Sequence, residues 1–184
     1  MSSYEIAVVV GSLRRDSINR KLAGAVEKLG PSDFVFKHLQ IGDLPLYNQD
    51  DDANQADSVK RLKNEIRAAK GLLFVTAEYN RSMPGMLKNA IDHASRPYGQ
   101  NAWAGKPAGI LGASIGAIGT AVAQQHLRNV LAYLDVPTLG QPEAFIQIGE
   151  GFFDESGNIR NAGTRTFLEG WMKRFDAWVR AHVA

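Results

Sequence analysis

Short, almost wholly apolar segments alternate along the chain with longer segments whose apolar residues recur every three or four positions. The apolar segments have the length of buried β-strands, and the periodic segments predict amphipathic helices. Strands are predicted at residues 5–10, 34–41, 72–77 and 108–113, with short extended pieces at 136–139 and 144–148. Helices are predicted at residues 19–29, 58–69, 84–95, 117–134 and 164–182.

This alternation of strand and helix predicts the architecture. Strands that are apolar throughout are typical of a parallel sheet that helices cover on both faces. The sequence therefore predicts an α/β fold with a doubly wound, five-stranded parallel sheet. Its strand order stays open between the Rossmann and flavodoxin-like arrangements, and both place ligands beyond the carboxyl ends of the strands. The 184 residues suit one domain, residues 1–184, without a linker or repeat.

Composition and residue pattern exclude several classes of function. The net charge of +2 is small and the basic residues are dispersed, which argues against a nucleic-acid partner. The absence of cysteine excludes thiol chemistry and favours a cytoplasmic location, and no paired-histidine motif predicts a metal site. No apolar run approaches the roughly 18 residues of a membrane helix. The early first strand leaves no room for a signal peptide.

The loop after the first strand, which reads GSLRRDSIN, is too polar to belong to the core. Ser12 and Ser17 offer hydroxyl groups, Arg14 a guanidinium group and Asn19 an amide. The helix that follows directs free N–H groups and the positive end of its dipole into the same space. The loop matches neither the dinucleotide fingerprint nor the P-loop, yet its chemistry predicts a phosphate site. Alternatively, Ser17 only caps the helix and the arginines are solvated.

The loop after the third strand reads EYNRSMPG and carries Glu78, Tyr79, Asn80 and Ser82. An aromatic side chain between a carboxylate and an amide is unusual directly after a buried strand. The segment could present a flat face and main-chain groups to a planar heterocycle. Alternatively, it is a turn in which Ser82 caps the next helix.

The loop after the fourth strand reads GASIGAIG, and Ser114 and Gly116 leave its main chain open to close approach by a ligand. Alternatively, it is an ordinary glycine-rich turn between strand and helix. In a 2-1-3-4-5 strand order, the first, third and fourth strands are neighbours. Their three loops would then line one cleft.

These three loops together resemble a known family. The patterns G-S-x-R-x-x-S-x-N, E-Y-N-x-S-x-P-G-x-L-K-N-A-I-D and G-x-S-x-G resemble the NADPH-dependent FMN reductases, and most closely their quinone and chromate reductase branch. The resemblance runs from Glu5 to Glu143 and is looser beyond. It implies a flavodoxin-like fold of strand order 2-1-3-4-5, bound FMN, NADPH or NADH as co-substrate, and a homodimer or homotetramer.

The resemblance also implies roles for individual residues. The FMN phosphate would be held by Ser12, Arg14, Ser17 and Asn19 and by the main-chain N–H of Ile18. The isoalloxazine would be bordered by Glu78, Tyr79, Asn80 and Ser82 on one side and by Ser114, Ile115 and Gly116 on the other. No side chain is assigned as catalytic, because the flavin carries the redox chemistry. The chain departs from the family pattern at Asp16, at Ala77 (usually Pro) and at Thr120 (frequently Gly).

The function expected from the resemblance is ping-pong hydride transfer from NAD(P)H through FMN to quinones and adventitious acceptors such as chromate. The alternatives are an FMN electron carrier of the flavodoxin kind and a flavin-free domain that binds another phosphate ligand. A net charge of +2 argues against the carrier, because such carriers are typically acidic. The wide apolar stripe of helix 117–134, with aromatic Tyr98, Trp103 and Tyr133, adds an argument for an oligomer.

Overall fold

A computed structural model describes residues 3–183 of the chain. Its strands are β1 (Tyr4–Val10), β2 (Phe34–His38), β3 (Gly71–Thr76), β4 (Ala108–Ser114) and β5 (Ala144–Gln147). Its helices are α1 (Ile18–Glu27), α2 (Asp57–Ala68), α3 (Gly85–Ser95), α4 (Ala121–Tyr133) and α5 (Ala162–Val183), with a 3₁₀ helix at Gln49–Asn54.

The five strands form one parallel sheet in the order β2-β1-β3-β4-β5. Val9 of β1 lies opposite Phe74 of β3, and Phe74 lies opposite Ile110 of β4. The flavodoxin-like order is therefore confirmed and the Rossmann order is excluded. Every strand-to-strand connection crosses over through a helix, so all strands end at the same edge of the sheet.

Two separate apolar cores lie on opposite faces of the sheet. In β1, Ile6 and Val8 face the core shared with α1 and α5, whereas Ala7 and Val9 face the core shared with α2, α3 and α4. All four residues are fully buried. Alternate residues of a strand point to opposite faces, so a strand buried on both faces must be apolar at every position. This requirement explains the continuous apolar runs in the sequence.

Helix α4 begins four residues later than predicted, at Ala121 instead of Ala117. Gly119 and Thr120 have φ angles of 57° and 75°, in the left-handed region. A right-handed helix does not continue through such residues. The chain from Gly116 to Thr120 therefore forms a turn beside the carboxyl end of β4.

The prediction that Trp103 contributes to an interaction surface is wrong. Trp103 is fully buried, its Nε1 donates to the Ile91 carbonyl at 3.0 Å, and its ring centroid lies 5.7 Å from that of Phe74. The other two aromatic residues of that prediction, Tyr98 and Tyr133, are exposed. A tryptophan in a loop gives no periodic signal, because periodicity exists only within helices and strands.

Candidate functional site

The loops that follow β1, β3 and β4 lie side by side at the carboxyl edge of the sheet. We call them loop one (residues 11–17), loop two (77–84) and loop three (115–120). The register brings them together, because Val10 lies opposite Val75 and Val75 lies opposite Leu111. Pairing continues beyond β1, where the Gly11 N–H donates to the Val75 carbonyl at 2.9 Å. The three loops therefore follow neighbouring strand ends, as the 2-1-3-4-5 order predicts.

Loop one combines buried hydroxyl groups with exposed arginines. Ser12 and Ser17 are 4% and 3% exposed, whereas Arg14 and Arg15 are exposed to solvent. Ser17 caps α1, because its Oγ accepts from the Arg20 N–H at 3.2 Å. N–H groups in the first turn of a helix have no acceptor within the helix and are available to an anion. The capping role of Ser17 leaves room for a ligand contact, since one hydroxyl can cap a helix and also face a ligand.

Asn19 bridges α1 and β4. Its Nδ2 donates to the Ala113 carbonyl at 3.0 Å, and its Oδ1 accepts from the Ala113 N–H at 2.8 Å. The side chain is 2% exposed and faces the sheet. The side-chain amide of Asn19 thus positions α1 against β4.

Loop two contains a tight reverse turn. Tyr79 and Ser82 exchange main-chain hydrogen bonds of 2.9 and 3.0 Å, and the central Asn80 and Arg81 have φ angles of 51° and 64°. Two successive left-handed residues make this a type I′ turn, in which asparagine is favoured at the first central position. The turn leaves Tyr79 43% exposed.

A carboxylate fastens loop two to α4. Glu78 Oε2 accepts a hydrogen bond of 3.1 Å from the Ala123 N–H, in the first turn of that helix. The positive end of the helix dipole favours a negative charge at this position. Thr120, which precedes the helix, makes no capping hydrogen bond with its side chain. Glu78 therefore caps a helix that follows it by more than 40 residues, a role that local sequence did not indicate.

Ser82 does not cap α3, so that interpretation is wrong. The helix begins at Gly85 after Pro84, and its first turn receives no side-chain cap. Instead, Ser82 Oγ lies 3.0 Å from Nδ1 of His126 on α4. No motif in the sequence singles out His126. Its spacing of three residues from Ala123 puts both contacts of loop two on one face of α4.

Loop three is open to solvent. Ile115 is 79% exposed, and its carbonyl accepts from Gln147 Nε2 at 3.3 Å. Ser114 Oγ accepts from the Gly116 N–H at 3.1 Å and closes a short turn. Loop three thus presents exposed main chain and two aliphatic side chains, Ile115 and Ile118, at the edge of the sheet.

The three loops present apolar and cationic groups at one edge, as an anionic ligand with a flat ring would require. Four large apolar side chains on these loops are exposed to solvent: Leu13 (43%), Tyr79 (43%), Ile115 (79%) and Ile118 (39%). Arg14 and the first turn of α1 supply positive charge beside them. In the sequence, Leu13 and Ile118 look like ordinary apolar loop residues, so their exposure beside the site was not predicted. This combination fits a phosphate joined to an aromatic ring, which is the chemistry of FMN.

Within residues 3–183, no group of three or more His, Cys, Asp or Glu side chains is arranged to hold a metal ion. Over the same span, none of the helices is long and apolar enough to cross a membrane.

Comparison with known proteins places the chain in a family. Residues 4–151 match the profile of the NADPH-dependent FMN reductases. The chain belongs to the NADPH-dependent FMN reductase family. That span contains all three loops of the candidate site, so the resemblance seen in their motifs is confirmed.

Relatives within this FMN reductase family resemble the chain over nearly its full length. A 2-hydroxy-1,4-benzoquinone reductase from a Burkholderia species is 56% identical over 178 residues, 97% of each chain. A quinone reductase from Pseudomonas putida KT2440 is 49% identical over 182 residues, 98% of this chain and 97% of that one. The solved structure of FerB, an NAD(P)H:(acceptor) flavoenzyme from Paracoccus denitrificans, has a TM-score of 0.94 at 46% identity and covers 97% of this chain and 98% of its own.

The contact between Glu78 and α4 predicts a stability effect that is measurable without any ligand. Replacing Glu78 with alanine removes the cap and is expected to lower the free energy of unfolding by about 1–2 kcal/mol. Glu78→Gln keeps an acceptor but loses the charge beside the helix dipole, so about 0.3–1 kcal/mol is expected. Urea unfolding of the FMN-free protein measures both. The exposed Glu155→Ala control should change stability by less than about 0.5 kcal/mol, and an unchanged Glu78→Ala protein would contradict the capping role.

Proposed function

We propose that this protein is an NAD(P)H-dependent, FMN-containing oxidoreductase that reduces quinones. The observation that carries the proposal is that loop one, which has the chemistry of a phosphate site, lies beside the exposed apolar side chains of loops two and three at one edge of the sheet. Family membership and the quinone reductases among its relatives support it. Chromate and similar oxidants are proposed as adventitious acceptors.

The residues of loop one and α1 have the chemistry needed for the FMN phosphate. We assign the contacts to the hydroxyl groups of Ser12 and Ser17, the guanidinium group of Arg14 and the main-chain N–H groups of Ile18 and Asn19. Hydrogen bonds between ionised partners are the stronger kind, and a helix N-terminus adds favourable dipoles. Ser12 and Ser17 are buried, so their positions are already restricted before a ligand binds.

Loops two and three are assigned to the isoalloxazine ring. Tyr79 and Ile115 offer apolar surface, while the main chain at Glu78, Asn80 and Gly116 offers donors and acceptors to the edge of the ring. Ser82 and Ser114 complete the walls. Bound FMN supplies hydride transfer between the nicotinamide and the acceptor, and the protein supplies binding, orientation and electrostatics. No side chain is assigned as indispensable for the transfer from the nicotinamide, which requires only alignment at close contact.

The FMN electron carrier remains the alternative that must be tested. It would hold the same cofactor in the same fold but would not turn over NAD(P)H. The names of the relatives describe reductases that act on quinones or other acceptors, which favours the enzyme. We expect it to act in the cytoplasm, as the cysteine-free sequence suggests.

The decisive experiment is an anaerobic titration of the FMN-loaded protein. One FMN per chain should bind, stoichiometric NADPH or NADH should bleach the flavin absorbance, and added benzoquinone should restore it. A protein that binds FMN but is bleached only by dithionite would be a carrier. A protein that binds inorganic phosphate as well as it binds FMN would contradict the flavin assignment.

Substitutions in loop one are expected to weaken FMN binding without removing the chemistry. Arg14→Ala and Ser17→Ala should each cost about 1–3 kcal/mol of binding free energy, roughly 5–150-fold in Kd, because each removes a hydrogen bond to the phosphate. Fluorescence titration of the FMN-free proteins measures the change, and excess FMN should restore activity. Arg174→Ala on α5 is the matched control. Unchanged affinity in both loop-one variants would place the phosphate elsewhere.

We further propose that the protein is a homo-oligomer that associates through α3 and α4. Tyr98 and Tyr133 are 90% and 87% exposed, and they flank a hollow of about 570 Å³ between the ends of these helices. Exposed tyrosine is enriched at protein interfaces, where its ring supplies a large contact area. Half-buried Val130 adds apolar surface within the same hollow. A dimer or a dimer of dimers would cover these side chains.

Light scattering at micromolar concentration is expected to give at least twice the 20.1 kDa of one chain. Tyr133→Asp should shift the population toward monomer, because it puts a charge into the proposed contact. Phe167→Asp, on α5 at the opposite face of the sheet, is the control and should keep the wild-type mass. A wild-type mass of one chain would reject the oligomer.

A further inference from the structure

The contact between Ser82 and His126 links loop two of the candidate site to an exposed side chain on α4. Ser82 Oγ lies 3.0 Å from His126 Nδ1, Ser82 is half-buried in loop two, and His126 is exposed on α4. Within residues 3–183, the other ring nitrogen of His126 makes no hydrogen bond to the protein. One side of the imidazole therefore faces a hydroxyl group of loop two, and the other is exposed on the surface of the single chain.

Quinone reduction consumes a proton that the nicotinamide does not carry. NAD(P)H and one proton convert a quinone to a hydroquinone and NAD(P)⁺. Once the quinone has received a hydride, one of its oxygens is a phenolate that must be protonated. A positioned acid commonly accelerates such a proton transfer by about 100- to 10,000-fold.

The side chains near the cleft offer few proton donors that can be recharged near neutral pH. Serine and tyrosine hydroxyl groups hold their protons too tightly, and the Glu78 carboxylate is engaged by the N-terminus of α4. An imidazole exchanges its proton readily in this range. The other histidines are bonded away from the three loops: His38 to Glu27, His93 to the Pro45 carbonyl and His182 to the Trp178 carbonyl.

We propose that Ser82 and His126 supply the proton taken up by the reduced quinone, an inference that rests on the proposed function. The phenolate oxygen forms a bond to the Ser82 hydroxyl proton as the Ser82 O–H bond breaks. Ser82 Oγ takes the Nδ1 proton of the His126 imidazolium at the same time. The neutral imidazole then regains a proton from water. Ser82 touches the substrate, and His126 acts through it.

The test compares an acceptor that needs a proton with one that does not. Benzoquinone takes up two electrons and two protons in all, whereas ferricyanide takes up one electron and no proton. His126→Ala should slow reoxidation of the reduced enzyme by benzoquinone about 100-fold. Reduction by NADPH and reoxidation by ferricyanide should stay within about twofold of wild type. Gln125→Ala, the preceding residue on α4, is the control and should leave all three rates unchanged.

Further variants separate proton supply from a purely structural contact. Ser82→Ala should also slow reoxidation by benzoquinone, and the double variant should lose no more of that rate than either single variant, because both residues act in one path. Added imidazole should partly restore the benzoquinone rate of His126→Ala but not that of Ser82→Ala. In the FMN-free protein, the ¹⁵N resonance of His126 Nδ1 should shift in Ser82→Ala, which reports the contact independently of activity.

The possible failures are distinguishable. If His126→Ala slows benzoquinone and ferricyanide equally, or slows neither, the proton-supply role is overturned while the proposed function stands. An unshifted Nδ1 resonance in Ser82→Ala would also overturn it. If the wild-type protein, loaded with FMN, transfers electrons from NAD(P)H to neither acceptor, the proposed function itself fails.

Discussion

The paired hydrogen bonds between Asn19 and Ala113 set the geometry of the candidate site. They join residues 94 positions apart, with both partners buried. The amide occupies both main-chain groups of Ala113 near the end of β4, so the first turn of α1 is fixed above that end of the strand. Loop one and loop three consequently share an edge, and the N–H groups of α1 point toward it. Losing this bridge would leave two buried main-chain groups unpaired at a cost of about 1–3 kcal/mol each.

Loop two depends on α4 in the same way that loop one depends on β4. Glu78 caps the helix and Ser82 contacts His126, so both ends of the left-handed turn are held by one helix face. A binding site whose walls are held in place loses less conformational entropy when the ligand arrives. Each loop therefore owes its position to a side-chain contact with an element distant in the sequence. The apolar cores stabilise the fold, and these few polar contacts position the loops on it.

The contrast between apolar cores and individual polar contacts explains how much of the fold and of the candidate site the sequence could predict. The strands and helices follow from periodicity, because burial on two faces or one stripe dictates the pattern of apolar residues. Strand order and family followed from loop motifs. The hydrogen-bond partners of Asn19, Glu78 and Ser82 could not be predicted from the sequence, because each contact depends on tertiary structure that no local pattern encodes. The burial of Trp103 and the late start of α4 were missed for related reasons: loop burial is non-periodic, and left-handed residues other than glycine look ordinary.

Thr120 shows how this chain accommodates a departure from its family pattern. The residue is fully buried with φ 75° and ψ 17°, a conformation that costs a β-branched residue about 1–2 kcal/mol more than glycine. The frequent glycine of the family suits that backbone. Here the threonine Oγ1 accepts from Gln124 Nε2 at 3.0 Å, and the same Nε2 donates to the Ala144 carbonyl of β5 at 2.9 Å. Gly112 leaves the space that Oγ1 needs, since a Cβ there would lie 2.4 Å from it. The strained backbone is thus offset by a buried bridge from α4 to β5, which secures the helix that holds loop two.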